Sequence, residues 1–340
     1  MIKNTARATI ADVARQAGVS KATVSRFLNH RDTLLSAEIA ERVEVAVAQL
    51  GYTPSPMAQA LKRGRSRLIG LVVADITNPY SVAVLRGAEK ACRAAGYLVM
   101  LFNLGNESQR ESAAIQALLS YQVEGFILNT MGYDAGVDAA RCGKPVVLVD
   151  RLHQGLDVDF VSLNNKQAID LSAQHLLDAG YTELLLATEP LGGVSSRIER
   201  SAAFMSFIRD HNEKVSGCCL ASDAGAADLD QALRALRERA KVGRAAVISS
   251  NAVVTLRIVA AMARLGWQLG ADVGLIGIDE TEWSPYVGPG ISTVSQPTGE
   301  LGRKAAECLL DRLQGRDVAP RTILLPGVLN VRGSSDPSRR

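Results

Sequence analysis

From residue 68 onward the chain alternates short apolar runs with amphipathic stretches, and this alternation restricts the possible folds more than any other feature. LIGLVVAD, YLVMLFN, EGFILNT and PVVLVD are uninterrupted apolar runs of the length of buried parallel strands. Segments of helical character lie between them, around residues 82–95 and 107–121. A second series follows with ELLLATEP, AAVISSN and VGLIGID, separated by helical stretches around residues 167–179, 198–209, 228–240 and 253–265. Strands that alternate with helices pair in parallel, and two such series predict two doubly wound parallel sheets. Ligands of open α/β sheets sit beyond the carboxyl ends of the strands. Those ends are residues 75–80, 129–131, 150–151, 189–200, 249–251 and 279–283. A cleft lined by both lobes is expected there.

The first 53 residues have a different texture. Residues 9–29 read TIADVARQAGVSKATVSRFLN. Ile10, Val13, Ala14 and Ala17 keep helical spacing, as do Val24 and either Phe27 or Leu28. Thr9 and Ser20 suit N-caps and Gly18 suits a helix end. Two helices joined by a short turn at a glycine predict a helix-turn-helix, whose second helix can enter a DNA major groove. That helix turns Lys21, Ala22, Ser25, Arg26 and Asn29 outward, a small, polar and basic set suited to base edges and phosphates. Residues 36–50 predict a third amphipathic helix, with the stripe Ile39, Val43, Val47 and Leu50, Ser36 as N-cap and Gly51 as terminator. Residues 57–62, between Pro56 and Gly64, have room for barely two helical turns, which are marginal alone and would need DNA or a partner chain.

Charge supports this division. Residues 1–67 carry eleven Lys and Arg against five Asp and Glu, whereas the rest carries 27 against 30. A basic front on a slightly acidic body is the electrostatic footprint of a small nucleic-acid-binding module. The five cysteines form no C-x-x-C pair and are expected to be mostly buried apolar side chains, a usage that suits a reducing cytoplasm. No apolar run reaches the length of a membrane span, and the amino terminus lacks the apolar stretch of a secretion signal, so a cytoplasmic, membrane-free protein is expected. The four histidines have no metal-ligand spacing, and no Walker A, G-x-S-x-G or dinucleotide fingerprint occurs. Neither metal nor cofactor is expected. A sugar-processing enzyme with a fused DNA-binding headpiece is the main alternative, and the missing catalytic constellation argues against it.

The run from Thr9 through Asp12-Val13-Ala14, Ala17-Gly18-Val19-Ser20 and Thr23-Val24-Ser25-Arg26 to Leu28-Asn29 resembles the headpiece signature of the LacI/GalR family of bacterial repressors. The resemblance extends along the chain. It implies a helix-turn-helix headpiece at 1–53, a hinge helix and linker at 54–66, and an effector-binding and dimerisation domain at 67–340 with a periplasmic-binding-protein-like fold. Lobe 1 would span about 67–164 and 295–324, and lobe 2 about 165–294 and 325–340. The chain would cross between lobes three times, with residues 298–313 returning to the first lobe and the tail ILLPGVLNVRGSS to the second. It also implies a homodimer on a near-palindromic double-stranded operator. Arg26 and Lys21 would contact bases, Ala22 thymine methyls, and Thr9 and Ser20 the backbone. Ala58, Leu61 and Lys62 of the hinge would meet the minor groove, with Leu61 wedged into a base step. A small sugar or sugar-acid effector between the lobes would alter operator affinity.

Three cleft residues match the family's effector-contact pattern: Arg200 in R-x-x-[GA]-F, Asn251 in the place of the usual S-N-D, and Asp279 in G-x-D. Ala252 replaces a common Asp and Ala203 a common Gly, which hints at a different ligand. With the strand-end rule, the effector-binding candidates are Asn78, Tyr80, Asp150, Arg151, Ser196, Arg197, Arg200, Asn251, Asp279 and Trp283. Converging arginines would favour an anionic ligand such as a sugar acid. The DETEW run at residues 279–283 resembles regulators of keto-sugar-acid use, and the chain as a whole a 2-ketogluconate-responsive repressor.

Overall fold

The computed structural model describes residues 8–29, 35–53, 65–130, 139–153, 155–221, 225–240, 243–316, 318–336 and 338. The chain divides into two compact units, Met1–Ser66 and Arg67–Arg340.

The first unit contains α1 (Ile10–Ala17), α2 (Lys21–Asn29) and α3 (Ala37–Leu50). Thr9 starts α1 with a reciprocal cap: its hydroxyl accepts from the Asp12 amide, and the Asp12 carboxylate accepts from the Thr9 amide at 3.0 Å. Ser20 starts α2 by accepting from the Thr23 amide at 3.1 Å, and Ser36 caps α3 through the Ile39 amide. The turn between α1 and α2 requires Gly18. Its φ is +63°, and a Cβ there would lie 2.7 Å from the Arg42 guanidinium. That guanidinium donates to the carbonyls of Ala17 and Gly18 at the end of α1, which ties α3 to the turn. The core is Val13, Ala14, Ala17, Val24, Phe27, Val43 and Ala46, with Ile10, Leu28, Ile39, Val47 and Leu50 packed around it.

The second unit holds two six-stranded sheets. In the first the order is β11 (Thr322–Leu325), β5 (Asp159–Leu163), β4 (Val146–Val149), β3 (Gly125–Asn129), β1 (Leu68–Val73) and β2 (Leu98–Asn103), all parallel. In the second the order is β12 (Val328–Asn330), β10 (Ser292–Ser295), β9 (Gly274–Ile278), β8 (Arg244–Ser249), β6 (Tyr181–Thr188) and β7 (Ser216–Ala221). Only β12 runs antiparallel to its neighbour. The first lobe carries α4 (Pro79–Ala94), α5 (Glu111–Ser120) and α10 (Thr298–Leu313); the second carries α6 (Asn165–Asp178), α7 (Ser195–Asp210), α8 (Ala226–Arg239) and α9 (Ala252–Leu265). Each sheet is covered on both faces, which explains why β1, β3, β4 and β9 read as continuous apolar runs.

The two doubly wound sheets agree with the sequence, and three details differ from it. Strands β5, β7, β10, β11 and β12 were not anticipated, because they are short, lie at or near sheet edges, or carry buried polar side chains such as Asp159 and Thr293. The tail does not go wholly to the second lobe. Residues 322–325 first pair with β5 in the first sheet, and the chain crosses only before Val328. The cysteines are also less buried than expected. Cys92 and Cys308 are buried, but Cys142 and Cys218 are exposed and Cys219, on edge strand β7, is half-buried; all five are free thiols.

Helix α10 returns to the first lobe and lies directly on α4. A Cβ added at Gly302 would sit 2.1 Å from the Val84 carbonyl oxygen, so the two helix backbones touch where only glycine fits.

Candidate functional site

The two sheets present the carboxyl ends of their strands to a common cleft of about 180 Å³. In each sheet the strand order reverses beside the first strand, between β1 and β3 and between β6 and β8, and such switch points open the crevice where ligands bind. Asn78 caps α4 by accepting from the Tyr80 amide at 3.0 Å, which turns Tyr80 into the cleft. Asn251 caps α9 by accepting from the Val254 amide at 2.9 Å, and its side-chain nitrogen donates to Glu189 at 2.8 Å. Asp150 and Asp279 both have positive φ, +66° and +86°. Such a conformation is uncommon for a residue other than glycine and marks the ends of β4 and β9 as places where the chain is bent to aim a carboxylate.

Arg200 lies at the centre, only 5% exposed. Its Nε donates to Asn165 at 2.8 Å, its Nη1 to the Ser250 carbonyl at 2.5 Å, and its Nη2 lies 3.8 Å from Asp150 of the other lobe. Ser196 Oγ donates to Asp150 at 3.2 Å, and the Leu152 amide donates to Ser195 Oγ at 2.8 Å. These three contacts join the lobes. Arg151 donates to the Thr130 carbonyl at 2.9 Å, and Arg197 to Glu189 and the Pro190 carbonyl, both at 2.7 Å. Asp279 accepts from the Ala252 amide at 3.0 Å and from Gln296 at 2.6 Å.

Burial pushes the Asp279 carboxyl above the usual range, against the opposing pull of Arg200 and its hydrogen bonds. Burial also raises the Tyr80 phenol, reinforced by the carboxylates of Asp150 and Asp279. The Tyr80 hydroxyl is buried and has no protein partner among the described residues, nor has Gln296 Oε1. Buried polar atoms without partners are rare in native proteins, and here both border a cleft that could supply one.

Of the cleft residues expected from sequence, Asn78, Tyr80, Asp150, Arg151, Ser196, Arg197, Arg200, Asn251 and Asp279 all line it. Trp283 does not. It packs against the apolar cluster of the second lobe that contains Leu269 and Ile291, and thus serves that core. Sequence reasoning missed Asn106, Val253, Arg257 and Gln296. Asn106 follows the end of β2 by three residues, and Val253 and Arg257 share a face of the helix that Asn251 caps; extending the strand-end rule to β2 and by two helical turns beyond β8 would have included them. Gln296 depended on recognising β10.

In the headpiece, Lys21, Ala22 and Arg26 are exposed on α2, and Ser25 beside them is half-buried. Thr9 and Ser20 stand at the amino ends of α1 and α2. The side chain of Asn29 and residues 54–64, with Ala58, Leu61 and Lys62, lie outside the described residues. Among the described residues no helix is long and apolar enough to cross a membrane, and no group of His, Cys, Asp and Glu could hold a metal ion.

A three-helix module with a polar recognition face, joined in one chain to a two-lobed α/β body with a polar cleft, defines a ligand-responsive DNA-binding regulator. Comparison with known proteins places it more closely. Residues 9–55 match the model of bacterial regulatory proteins of the lacI family, and residues 173–335 that of the periplasmic binding protein-like domain. The HTH-type transcriptional regulator PtxS of Pseudomonas aeruginosa is 45% identical over 97% of this chain and 96% of its own. The HTH-type transcriptional regulator KdgR of Bacillus subtilis is 38% identical over 98% and 99%. The lac repressor dimer bound to operator and the anti-inducer ONPF superimposes with a TM-score of 0.84 at 26% identity, covering 97% of this chain and all of that one. The chain belongs to the lacI family of bacterial regulatory proteins. Relatives named as transcriptional regulators give no support to the enzyme alternative.

Proposed function

We propose that this protein is a cytoplasmic, homodimeric repressor that binds a near-palindromic operator and responds to a sugar acid, 2-ketogluconate being the leading candidate. Residues 1–53 form the DNA-reading headpiece, 54–66 the hinge, and 67–340 the effector and dimerisation domain. Arg26 and Lys21 read bases, Ala22, Ser25 and Asn29 complete the reading face, and Thr9 and Ser20 hold phosphates through the helix ends they cap. Ala58, Leu61 and Lys62 meet the minor groove. The effector lies among Asn78, Tyr80, Asp150, Arg151, Ser196, Arg197, Arg200, Asn251 and Asp279, to which the geometry adds Gln296.

The observation that carries the effector reading is the junction of Arg200, Asp150 and Asp279 beneath the unpartnered Tyr80 hydroxyl. Carboxylates bridge neighbouring hydroxyls, a guanidinium grips oxygens in its plane, and a phenol donates to a further oxygen. That is the donor and acceptor set a polyhydroxylated ligand requires. The contacts of Asp150 with Ser196 and Arg200 join the lobes, so a ligand binding there favours one inter-lobe arrangement and shifts the population that binds DNA.

The test is a melting experiment on the full chain with 2-ketogluconate, other sugar acids and neutral sugars, followed by operator gel shifts with each ligand that stabilises. 2-Ketogluconate is expected to raise the melting point and lower operator affinity, and Asp279→Asn to lose both responses. Stabilisation by neutral sugars alone would reject the sugar-acid reading.

A further inference from the structure

Among the described residues, the charges inside the cleft are matched three against three. Arg151, Arg197 and Arg200 stand against Asp150, Glu189 and Asp279. Each of these guanidiniums is already committed to protein oxygens: Arg151 to the Thr130 carbonyl, Arg197 to Glu189 and the Pro190 carbonyl, and Arg200 to Asn165, the Ser250 carbonyl and Asp150. A ligand carboxylate placed among them would either bring an unmatched negative charge into a poorly solvated site or displace a buried protein carboxylate. Both are costly.

The cleft mouth is different. Arg257 lies on α9 one turn beyond Val253 and lines the cleft from the second lobe. It is exposed. Among the described residues it is the cleft arginine for which no hydrogen bond, ion pair or ring contact exists. The first lobe contributes Asp75 and Asn106 to the same cleft. The Asp75 carboxylate already accepts from the Thr77 amide at 2.8 Å and from Asn106 at 3.0 Å, and it forms no ion pair with Arg257. A cation without a partner among the described residues, at the edge of an interior whose guanidiniums are already held by protein oxygens, is where a ligand's negative charge is best accommodated.

We infer that Arg257 is the specificity-determining residue that pairs with the carboxylate of a sugar-acid effector. The carboxylate lies toward the mouth, and the hydroxyls point inward to Tyr80, Asp279, Asn251 and Gln296. The assignment rests on the sugar-acid reading above and goes beyond it by giving the acid group one orientation and one partner.

The test compares 2-ketogluconate with fructose, which has a hydroxymethyl group where the acid has its carboxylate. Calorimetric titration of the full-length protein at low ionic strength gives a preference, the ratio of the two dissociation constants. Wild-type protein is expected to prefer the acid. Arg257→Gln should reduce that preference about tenfold, the size of one charge-assisted hydrogen-bonding contact at a partly solvated site, and Arg257→Lys should keep part of it. Raising the salt should narrow the wild-type preference, because the pair is exposed. Unliganded melting points of both variants near the wild-type value would show that they fold. If wild-type protein prefers the acid and Arg257→Gln keeps that preference, the assignment is overturned while the sugar-acid reading stands. If Arg257→Gln weakens both ligands equally and Asp75→Asn does the same, Arg257 is a latch between the lobes and the assignment is overturned. If wild-type protein binds no sugar acid, both readings fall.

Discussion

Arg26 shows how much one side chain can decide. It is exposed on α2, a helix fixed by the Ser20 cap and by the burial of Val24 and Phe27 beneath it. A guanidinium on a rigid helix can bond two acceptors of one guanine, and such a pair discriminates by about 1–3 kcal/mol. Arg26→Ala should therefore weaken operator binding by about that amount and relax preference at one base position per half-site, with a smaller loss on random DNA. Equal losses in a titration of both DNAs would reduce Arg26 to a phosphate contact. Asp159 makes a different residue-scale case. It is 1% exposed, and burial alone would raise its carboxyl, but hydrogen bonds from Arg321 and Arg312 outweigh burial and hold it at about 2. Because the folded value lies below the unfolded value, the ionised group stabilises the fold above about pH 4, and that stabilisation disappears as pH falls toward 2. Asp159→Asn should cost about 2 kcal/mol at pH 7 and progressively less below pH 4, read from urea midpoints across that range.

At the scale of elements, the contact between α4 and α10 settles how the chain returns to its first lobe. The two helices carry Val84, Ala88, Leu301, Ala305 and Ala306 into one core, and the approach is close because Gly302 has no side chain. Gly302→Ala would gain a little helix propensity in isolation. In the folded protein its methyl group would meet a backbone carbonyl at 2.1 Å, and backbone does not yield as a flexible side chain does. Overpacking of this kind costs about 1–3 kcal/mol, so the variant should unfold at lower urea concentration. An unchanged or higher midpoint would mean that α10 can shift along α4. The caps of α1, α2 and α3 act on a smaller scale, each satisfying amides that the first helical turn leaves without partners.

For the whole molecule, ligand binding and stability are linked. A ligand that binds only the folded body, at 100 times its dissociation constant, stabilises it by about 2.7 kcal/mol. A saturating sugar acid should produce a shift of that order in a melting or urea experiment on wild-type protein, and much less in Asp279→Asn. The lobes themselves are joined beside the cleft by the contacts of Ser195 with the Leu152 amide and of Asp150 with Ser196 and Arg200.

The helix-turn-helix was legible from residues alone because its determinants are local. A cap and the amide it satisfies lie three residues apart, Gly18 marks its own turn, and the apolar stripe repeats within a dozen positions. The central strands were legible for a similar reason, since burial on both faces writes an unbroken apolar run. The edge strands β7 and β11 and the three-residue β12 carry no such pattern, and pairing can depend on partners far along the chain, as when β11 pairs with β5. The cleft divides the same way. Strand ends pointed to Tyr80, Asp150, Arg200 and Asp279, because topology alone fixes where the carboxyl ends of parallel strands lie. Trp283 was misplaced because a position beyond a strand end does not say whether the side chain turns to the cleft or to the core. The commitment of Arg151, Arg197 and Arg200 to protein oxygens, and the lack of a partner for Arg257 among the described residues, belong to the tertiary structure. Charge pairing in the cleft is set by distance in space, unlike the pairs one helical turn apart that sequence spacing does encode, such as Lys166 with Asp170.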